Sequence, residues 1–205
     1  MLNLTSKQKG FTLIELMIGL VILAILLSAG LPSFTQWIQN THTRTGAESI
    51  LNGLQIARSE AITRNANVRF TVTSTGGQVD WRVGCVIPVA DFNADLVDDC
   101  PAIIRSRSAA EGAGNARIGA SNGAIGAIGT AIASGTGLSS GDTGVTFTFL
   151  GRVDALTANF TRLDVTNSAS ANARRMVILI GAGGTIRMCD PDPALALASN
   201  PQACA

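Results

Sequence analysis

The sequence predicts an α+β protein: a long N-terminal helix, transmembrane at first and amphipathic afterwards, packed on an antiparallel β-sheet domain. Three observations predict it. Residues 11–31 carry one charge, Glu15, and are numerous enough to cross a bilayer as a helix. Apolar residues then recur at helical spacing over 46–64. Past Asn65 the period drops to two, in short runs punctuated by glycine.

The first element opens with MLNLTSKQKG and continues as FTLIELMIGLVILAILLSAGLP. Lys7 and Lys9 precede the apolar stretch, so the N-terminus stays cytoplasmic and the bulk of the chain crosses. A secretory signal has a shorter apolar region followed by a small-residue cleavage site. Here the stretch runs on into Pro32 and a further helix. A plain single-span anchor is the alternative, and Glu15 argues against it. A carboxylate inside an apolar span is costly unless paired. A free amino group, made by cutting between Gly10 and Phe11, supplies a partner.

Pro32 is expected to kink the helix, because it removes a hydrogen bond and crowds the preceding turn. Trp37 suits either the membrane–water boundary or a core contact. Ala47, Ile50, Leu51, Leu54, Ala57 and Ala61 fall on one helical face, a stripe suited to packing on a sheet. Val68, Phe70 and Val72 then share one strand face, and Val79, Trp81 and Val83 another, with Gly76-Gly77 as the turn between them. A short strand is expected around Ile103-Ile104-Arg105. Val145, Phe147 and Phe149 alternate until Gly151 breaks the run, and Leu163 and Val165 give a weaker signal. Residues 175–180, 181–184 and 185–189 read as strand, turn and return strand.

Residues 106–143 form an insertion rich in Gly, Ala, Ser and Asn. A structureless loop of that length is uncommon in a compact domain. Short strands or surface loops are expected, pinned by Ile118, Ile125, Ile128 and Ile132. The organisation is therefore a leader (1–10), a membrane part (11–31), an amphipathic helix (32–66) and a β-rich domain (67–205).

The 205 residues hold few aromatics and no Tyr, which limits the core. Covalent help is expected from four cysteines, Cys85, Cys100, Cys189 and Cys204. None has a CxxC partner and the single histidine, His42, is remote, so zinc is poorly supported. Behind a membrane-targeting segment, disulfides are the preferred reading and buried thiols the alternative. Three connectivities are open. Nearest-neighbour pairing is the one we expect, each bridge closing a loop of about 15 residues and stabilising by roughly 3 kcal/mol.

Of the 15 basic residues, Lys7 and Lys9 lie in the leader; 13 arginines then face 14 acidic groups. Such a chain exerts no general pull on nucleic acid. Asp91, Asn93, Asp95 and Asp98 place oxygens at alternating positions, the opening pattern of a calcium loop. Leu96 stands where that loop needs glycine and Ala102 where it needs Glu, so an acidic turn tied down by Cys100 is preferred over calcium. No other cofactor is expected. Catalysis lacks support: GxSxG, Walker A and HExxH are absent.

The run Lys9-Gly10-Phe11-Thr12-Leu13-Ile14-Glu15-Leu16 resembles the class III signal of type IV prepilins and type II secretion pseudopilins. The resemblance implies cleavage after Gly10 by a prepilin peptidase and methylation of Phe11. It implies that Glu15 neutralises the N-terminus of a neighbouring subunit during assembly. It also implies residence as a single-pass protein of a bacterial inner membrane, with a periplasmic domain, before incorporation in a pilus or pseudopilus.

The segment Leu54-Gln55-Ile56-Ala57-Arg58-Ser59-Glu60-Ala61-Ile62-Thr63-Arg64-Asn65 is similar to the LARSEAI segment of the GspH/FimT family. Trp81-Arg82-Val83-Gly84-Cys85 with its Asp-rich sequel, and Gly183-Gly184-Thr185-Ile186-Arg187-Met188-Cys189-Asp190, resemble the same family. That likeness implies a type IV pilin-like fold and a low-abundance subunit, a minor pilin that initiates or caps a filament. A minor pseudopilin of type II secretion and a DNA-binding pilin of natural transformation are the alternatives. The family's DNA-linked GRxR-type motif reads Gly184-Thr185-Ile186-Arg187 here, so only Arg187 carries over. Arg174 and Arg175 are expected on a neighbouring strand edge, with solvated hairpin charges the preferred reading over phosphate contacts.

Overall fold

The computed structural model describes residues 10–89, 99–138, 143–192 and 202–204. Among these residues one helix, α1 (Leu13–Thr63), precedes eight strands. These are β1 (Val68–Val72), β2 (Trp81–Cys85), β3 (Arg105–Arg107), β4 (Ala116–Ser121), β5 (Gly144–Phe147), β6 (Arg162–Asn167), β7 (Met176–Ile180) and β8 (Ile186–Cys189). The chain forms two compact units, residues 1–37 and 38–205, and α1 contributes to both.

In the first unit α1 starts on a reciprocal cap. The Thr12 N–H and hydroxyl both donate to Glu15 Oε2 at 2.9 Å, and the Glu15 N–H donates to Thr12 Oγ1 at 3.3 Å. This is the capping box that T-x-x-E encodes, and it satisfies amide donors that a helix start leaves free. From Leu13 to Leu27 the large apolar side chains are all half or more exposed. Taken singly, no described helical stretch is long and apolar enough to cross a membrane; Leu13–Ser28 and Ser33–Thr63, joined through a bend, together have the length and composition. Phe34 and Trp37 stack with ring centroids 6.0 Å apart.

In the second unit α1 buries Ala47, Ile50, Leu54, Ala57 and Ala61, the stripe its periodicity predicts. Leu51 lies only partly buried. The helix ends where Asn65 adopts a φ of 50°. The Ala66 N–H then returns to the Ala61 carbonyl and the Asn65 N–H to that of Ile62, a Schellman closure with Asn in the left-handed position usually taken by Gly.

A single sheet was the expectation; there are two, both antiparallel and four-stranded, in the orders β3-β2-β1-β5 and β4-β6-β7-β8. In the first, Phe70 sits opposite both Val83 and Val145, and Val72 opposite Trp81. Period-two alternation sends these side chains to one face, where they meet the α1 stripe. The second sheet sends Ile118, Leu163, Val165, Ile178 and Ile180 into the same core. Phe70 and Trp81 pack at 5.7 Å between centroids, and the Trp81 indole N–H donates to Ser49 Oγ of α1 at 2.8 Å. The buried indole thus has the partner that its polar atom requires.

Two strands depart from the alternation pattern. The expected 103–105 strand starts instead at Arg105, and Ile103 is exposed. The Val145 run stops at Phe147, leaving Phe149 and Leu150 exposed in a turn closed by Gly151 N–H to the Thr148 carbonyl. In the insertion, β4 is a largely buried edge strand of the second sheet, while residues 123–138 fold back over that sheet. Ile118 is buried as expected, but Ile125 is exposed and Ile128 and Ile132 are only partly buried. The insertion is held chiefly by polar groups.

Candidate assembly segment and interaction surfaces

Gly10 and Phe11 precede α1 and are exposed, Phe11 to 91%. Among the described residues no atom lies within 4 Å of where a Gly10 Cβ would stand. Glu15 occupies the first turn of α1, and both bonds it accepts from Thr12 end on Oε2. The T-x-x-E pattern was readable in the sequence; its role as a cap became plain only with the helix start placed at Leu13.

The segment from Leu54 to Asn65 ties the end of α1 to neighbouring turns through two side chains, Arg58 and Arg64. Arg58 Nε donates to the Gly151 carbonyl at 3.0 Å. Arg64 pairs with Glu60 at 2.7 Å and donates through Nη1 to the Asp99 carbonyl, also at 2.7 Å. Ser59 turns back to the Ile56 carbonyl of its own helix. The charged residues of this motif therefore anchor backbone at turns. A Cβ on Gly184 would collide with the Gly151 carbonyl and stand 3.2 Å from Arg58 Nε, so the two glycine turns and the arginine fit as one joint.

Cys85 is bonded to Cys100 and Cys189 to Cys204, with Cα separations of 5.7 and 5.0 Å. The first bridge joins the end of β2 to the 99–101 segment, where the Cys85 N–H also donates to the Pro101 carbonyl. The second returns the C-terminus to β8. There the Asp190 N–H reaches the Gln202 carbonyl, the Cys204 N–H reaches that of Asp190, and Arg187 Nη2 donates to the Ala203 carbonyl at 2.9 Å.

The three arginines considered for phosphate contact are thus engaged within the chain. Arg187 holds the C-terminal segment. Arg174 pairs with Asp190 at 2.9 Å. Arg175 is largely buried: Nη1 binds Asp164, and Nη2 donates to the Ile128 and Gly129 carbonyls at 2.6 and 3.1 Å. Arg174 and Arg175 do line one depression, but Asp190 and Asp192 line it too, and carboxylates repel phosphate. Arg174 and Arg175 stand just ahead of β7, each paired with a carboxylate of the chain.

Arg175 belongs instead to a buried cluster that sequence reasoning missed. Arg162, 3% exposed, pairs through Nε with Asp164 at 2.7 Å and donates to the carbonyls of Ala127 and Thr130. Asp164, fully buried, also accepts from the Ile132 N–H at 3.0 Å. Two guanidinium groups, one carboxylate and a ring of carbonyls clamp residues 126–132 onto the outer face of the second sheet. The signal in the sequence was Arg162-x-Asp164, two charges on one face of a strand whose other face carries Leu163 and Val165.

Asp91, Asn93, Asp95 and Asp98 lie outside the described residues. Among the described residues no group of three or more His, Cys, Asp or Glu side chains is arranged to hold a metal. His42 is partly buried on α1, and its Nδ1 has no hydrogen-bond partner among them.

A capped N-terminal helix with an acidic residue in its first turn, leading into antiparallel sheets with cystine-closed loops, is the α+β architecture of type IV pilin-like proteins. The prokaryotic N-terminal methylation motif matches residues 5–31, and the family described as Type II transport protein GspH matches residues 46–184. The chain belongs to the GspH family. Over 51 residues it is 45% identical to the type IV major fimbrial protein FimA of Dichelobacter nodosus, a stretch amounting to 25% of this chain and 31% of FimA. The chain thus matches under a third of that relative's length. Among solved structures, it is similar to the type IV minor pilin FimU of Pseudomonas aeruginosa, with 15% identity, a TM-score of 0.42, and 71% of this chain and 90% of that one covered. It is likewise similar to the minor pseudopilin EpsH from the type 2 secretion system of Vibrio cholerae, with 12% identity, a TM-score of 0.45, and coverage of 74% and 98%.

Proposed function

We propose that this chain is a minor type IV pilin. It waits in the inner membrane, is cut between Gly10 and Phe11 by a prepilin peptidase, is methylated at Phe11, and joins other pilins to initiate or cap a filament. The observation that carries this reading is the union of a methylation-type N-terminus, matched over 5–31, with a GspH-family domain, matched over 46–184. The N-terminal geometry supports it. The Gly10–Phe11 junction is open to a peptidase. The Glu15 capping bonds both use Oε2, which leaves Oε1 to accept the amino group of a neighbouring subunit. Its role is structural and it calls for no catalytic group.

The second reading is a minor pseudopilin of a type II secretion system, and the description of the matched family favours it. The two share processing and assembly and differ in the filament joined. An affinity-tagged processed subunit should co-purify with sheared pili and with other minor pilins. Recovery with secretion pseudopilins and not with pili would establish the second reading. Recovery with neither, despite cleavage, would sink both.

A further inference from the structure

The chain holds two Asn-Gly pairs, Asn52-Gly53 and Asn122-Gly123. Asn-Gly is chemically fragile because glycine leaves the following backbone nitrogen free to approach the Asn side chain. The fold treats the two pairs differently. Asn52-Gly53 lies inside α1, where a helical hydrogen bond engages the Gly53 N–H. Gly53 is also packed so closely that an added Cβ would stand 2.7 Å from the Phe70 ring. Asn122-Gly123 follows the last residue of β4, both residues are exposed, and no atom lies within 4 Å of a Cβ built on Gly123. Among the described residues neither the Asn122 amide nor the Gly123 N–H has a hydrogen-bond partner.

We infer that Asn122 is a site of spontaneous, fold-selected deamidation in the folded protein. The Gly123 nitrogen attacks Asn122 Cγ, a C–N bond closes a succinimide ring, and the side-chain nitrogen leaves as ammonia. Water then opens either ring carbonyl, giving Asp or isoaspartate at position 122. No oxidant or reductant is consumed. Each event adds one negative charge, and the isoaspartate form adds one backbone atom. The change falls where β4 hands over to the insertion. Thr161 braces this corner: its N–H donates to the Ser121 carbonyl at 2.9 Å and its hydroxyl to the Gly123 carbonyl at 2.7 Å. The added backbone atom displaces the second of these bonds, so the age of a subunit is written into the anchoring of its insertion.

The test is peptide mapping by mass spectrometry of the full processed chain in detergent, aged in mildly alkaline buffer, beside the same chain aged unfolded in guanidinium. In the folded chain the Asn122 peptide should gain about 1 Da and yield isoaspartate, while the Asn52 peptide stays unchanged. In the unfolded chain both should convert. Gly123→Ala should slow the folded reaction about tenfold, because a Cβ restricts the backbone freedom that attack requires. Intact Asn122 in the folded chain after both sites have converted in the unfolded one overturns the proposal. So does equal conversion of Asn52 and Asn122 in the folded chain.

Discussion

Arg58 of α1 donates through Nε to the main-chain carbonyl of Gly151, 3.0 Å away and 93 residues along the chain. The bond is charge-assisted and partly buried, and it fixes the turn beside which Gly184 packs. Arg58→Ala should therefore lower unfolding stability by about 1.5–3 kcal/mol, the range for hydrogen bonds to charged groups. Lysine should restore only part, since it lacks the planar fork. Denaturant titration followed by circular dichroism measures both; an unchanged midpoint for Arg58→Ala would show the joint to be decorative.

Asp164 is the sole carboxylate between the Arg162 and Arg175 guanidinium groups among the described residues. Asp164→Ala leaves two buried cations facing each other, a loss of about 3–5 kcal/mol. The Ile132 N–H loses its acceptor as well. Limited proteolysis should then cut within 123–132 at protease levels that leave the parent intact. Arg175→Gln, which keeps the Arg162–Asp164 pair, should have the milder effect.

Each cystine closes a loop of 15 residues, worth roughly 3 kcal/mol in the chain-entropy model. Thermal melts with and without reductant should differ accordingly. The paired replacement of Cys189 and Cys204 by serine should also free residues 202–204 from β8, seen as faster amide exchange there than in β8 itself.

At Gly53 two effects oppose one another. Alanine is the better helix former by about 0.8–1.0 kcal/mol. Its Cβ would stand 2.7 Å from the Phe70 ring and 3.1 Å from Trp81, a crowding that costs typically about 1–3 kcal/mol in a packed core. The contact outweighs the propensity, so Gly53→Ala should destabilise. A raised melting temperature would mean that the aromatic pair yields more easily than its packing suggests.

Glu15→Ala should be cleaved at Gly10–Phe11 yet fail to enter sheared filaments, whereas Gly10→Val should stay unprocessed because a side chain obstructs the peptidase. Immunoblots of membrane and sheared fractions distinguish the two. Wild-type amounts of Glu15→Ala in the sheared fraction would remove Glu15 from assembly.

The helix and its buried stripe were legible because periodicity is a local property: Ala47, Ile50, Leu54, Ala57 and Ala61 all lie in the core. The β1–β2 hairpin was legible for the same reason. Strand ends were not, because tertiary contacts set them. Alternation alone carries Val145 and Phe147 on to Phe149, whereas the Thr148–Gly151 hydrogen bond ends the strand at Phe147. The division into two sheets was hidden too, since pairing partners lie far apart in sequence. In the insertion the isoleucines are the local signal, but the Arg162–Asp164–Arg175 cluster holds it in place. Arg175 shows why a candidate site cannot be read from charge alone: a residue considered for an external anion already has an internal one.

Three of the polar ties that α1 and the residue after it make to the β-rich domain, Ser49 to Trp81, Arg58 to Gly151 and Arg64 to Asp99, are spaced along the chain by nine and six residues. A tensile load drawn along α1 therefore meets them as rivets in a lap joint. It must shear all three, together with the apolar stripe between them, and cannot peel them off one at a time. Rupture force measured by pulling on the helix should accordingly exceed that measured by pulling between β1 and β5, where strands unzip pair by pair.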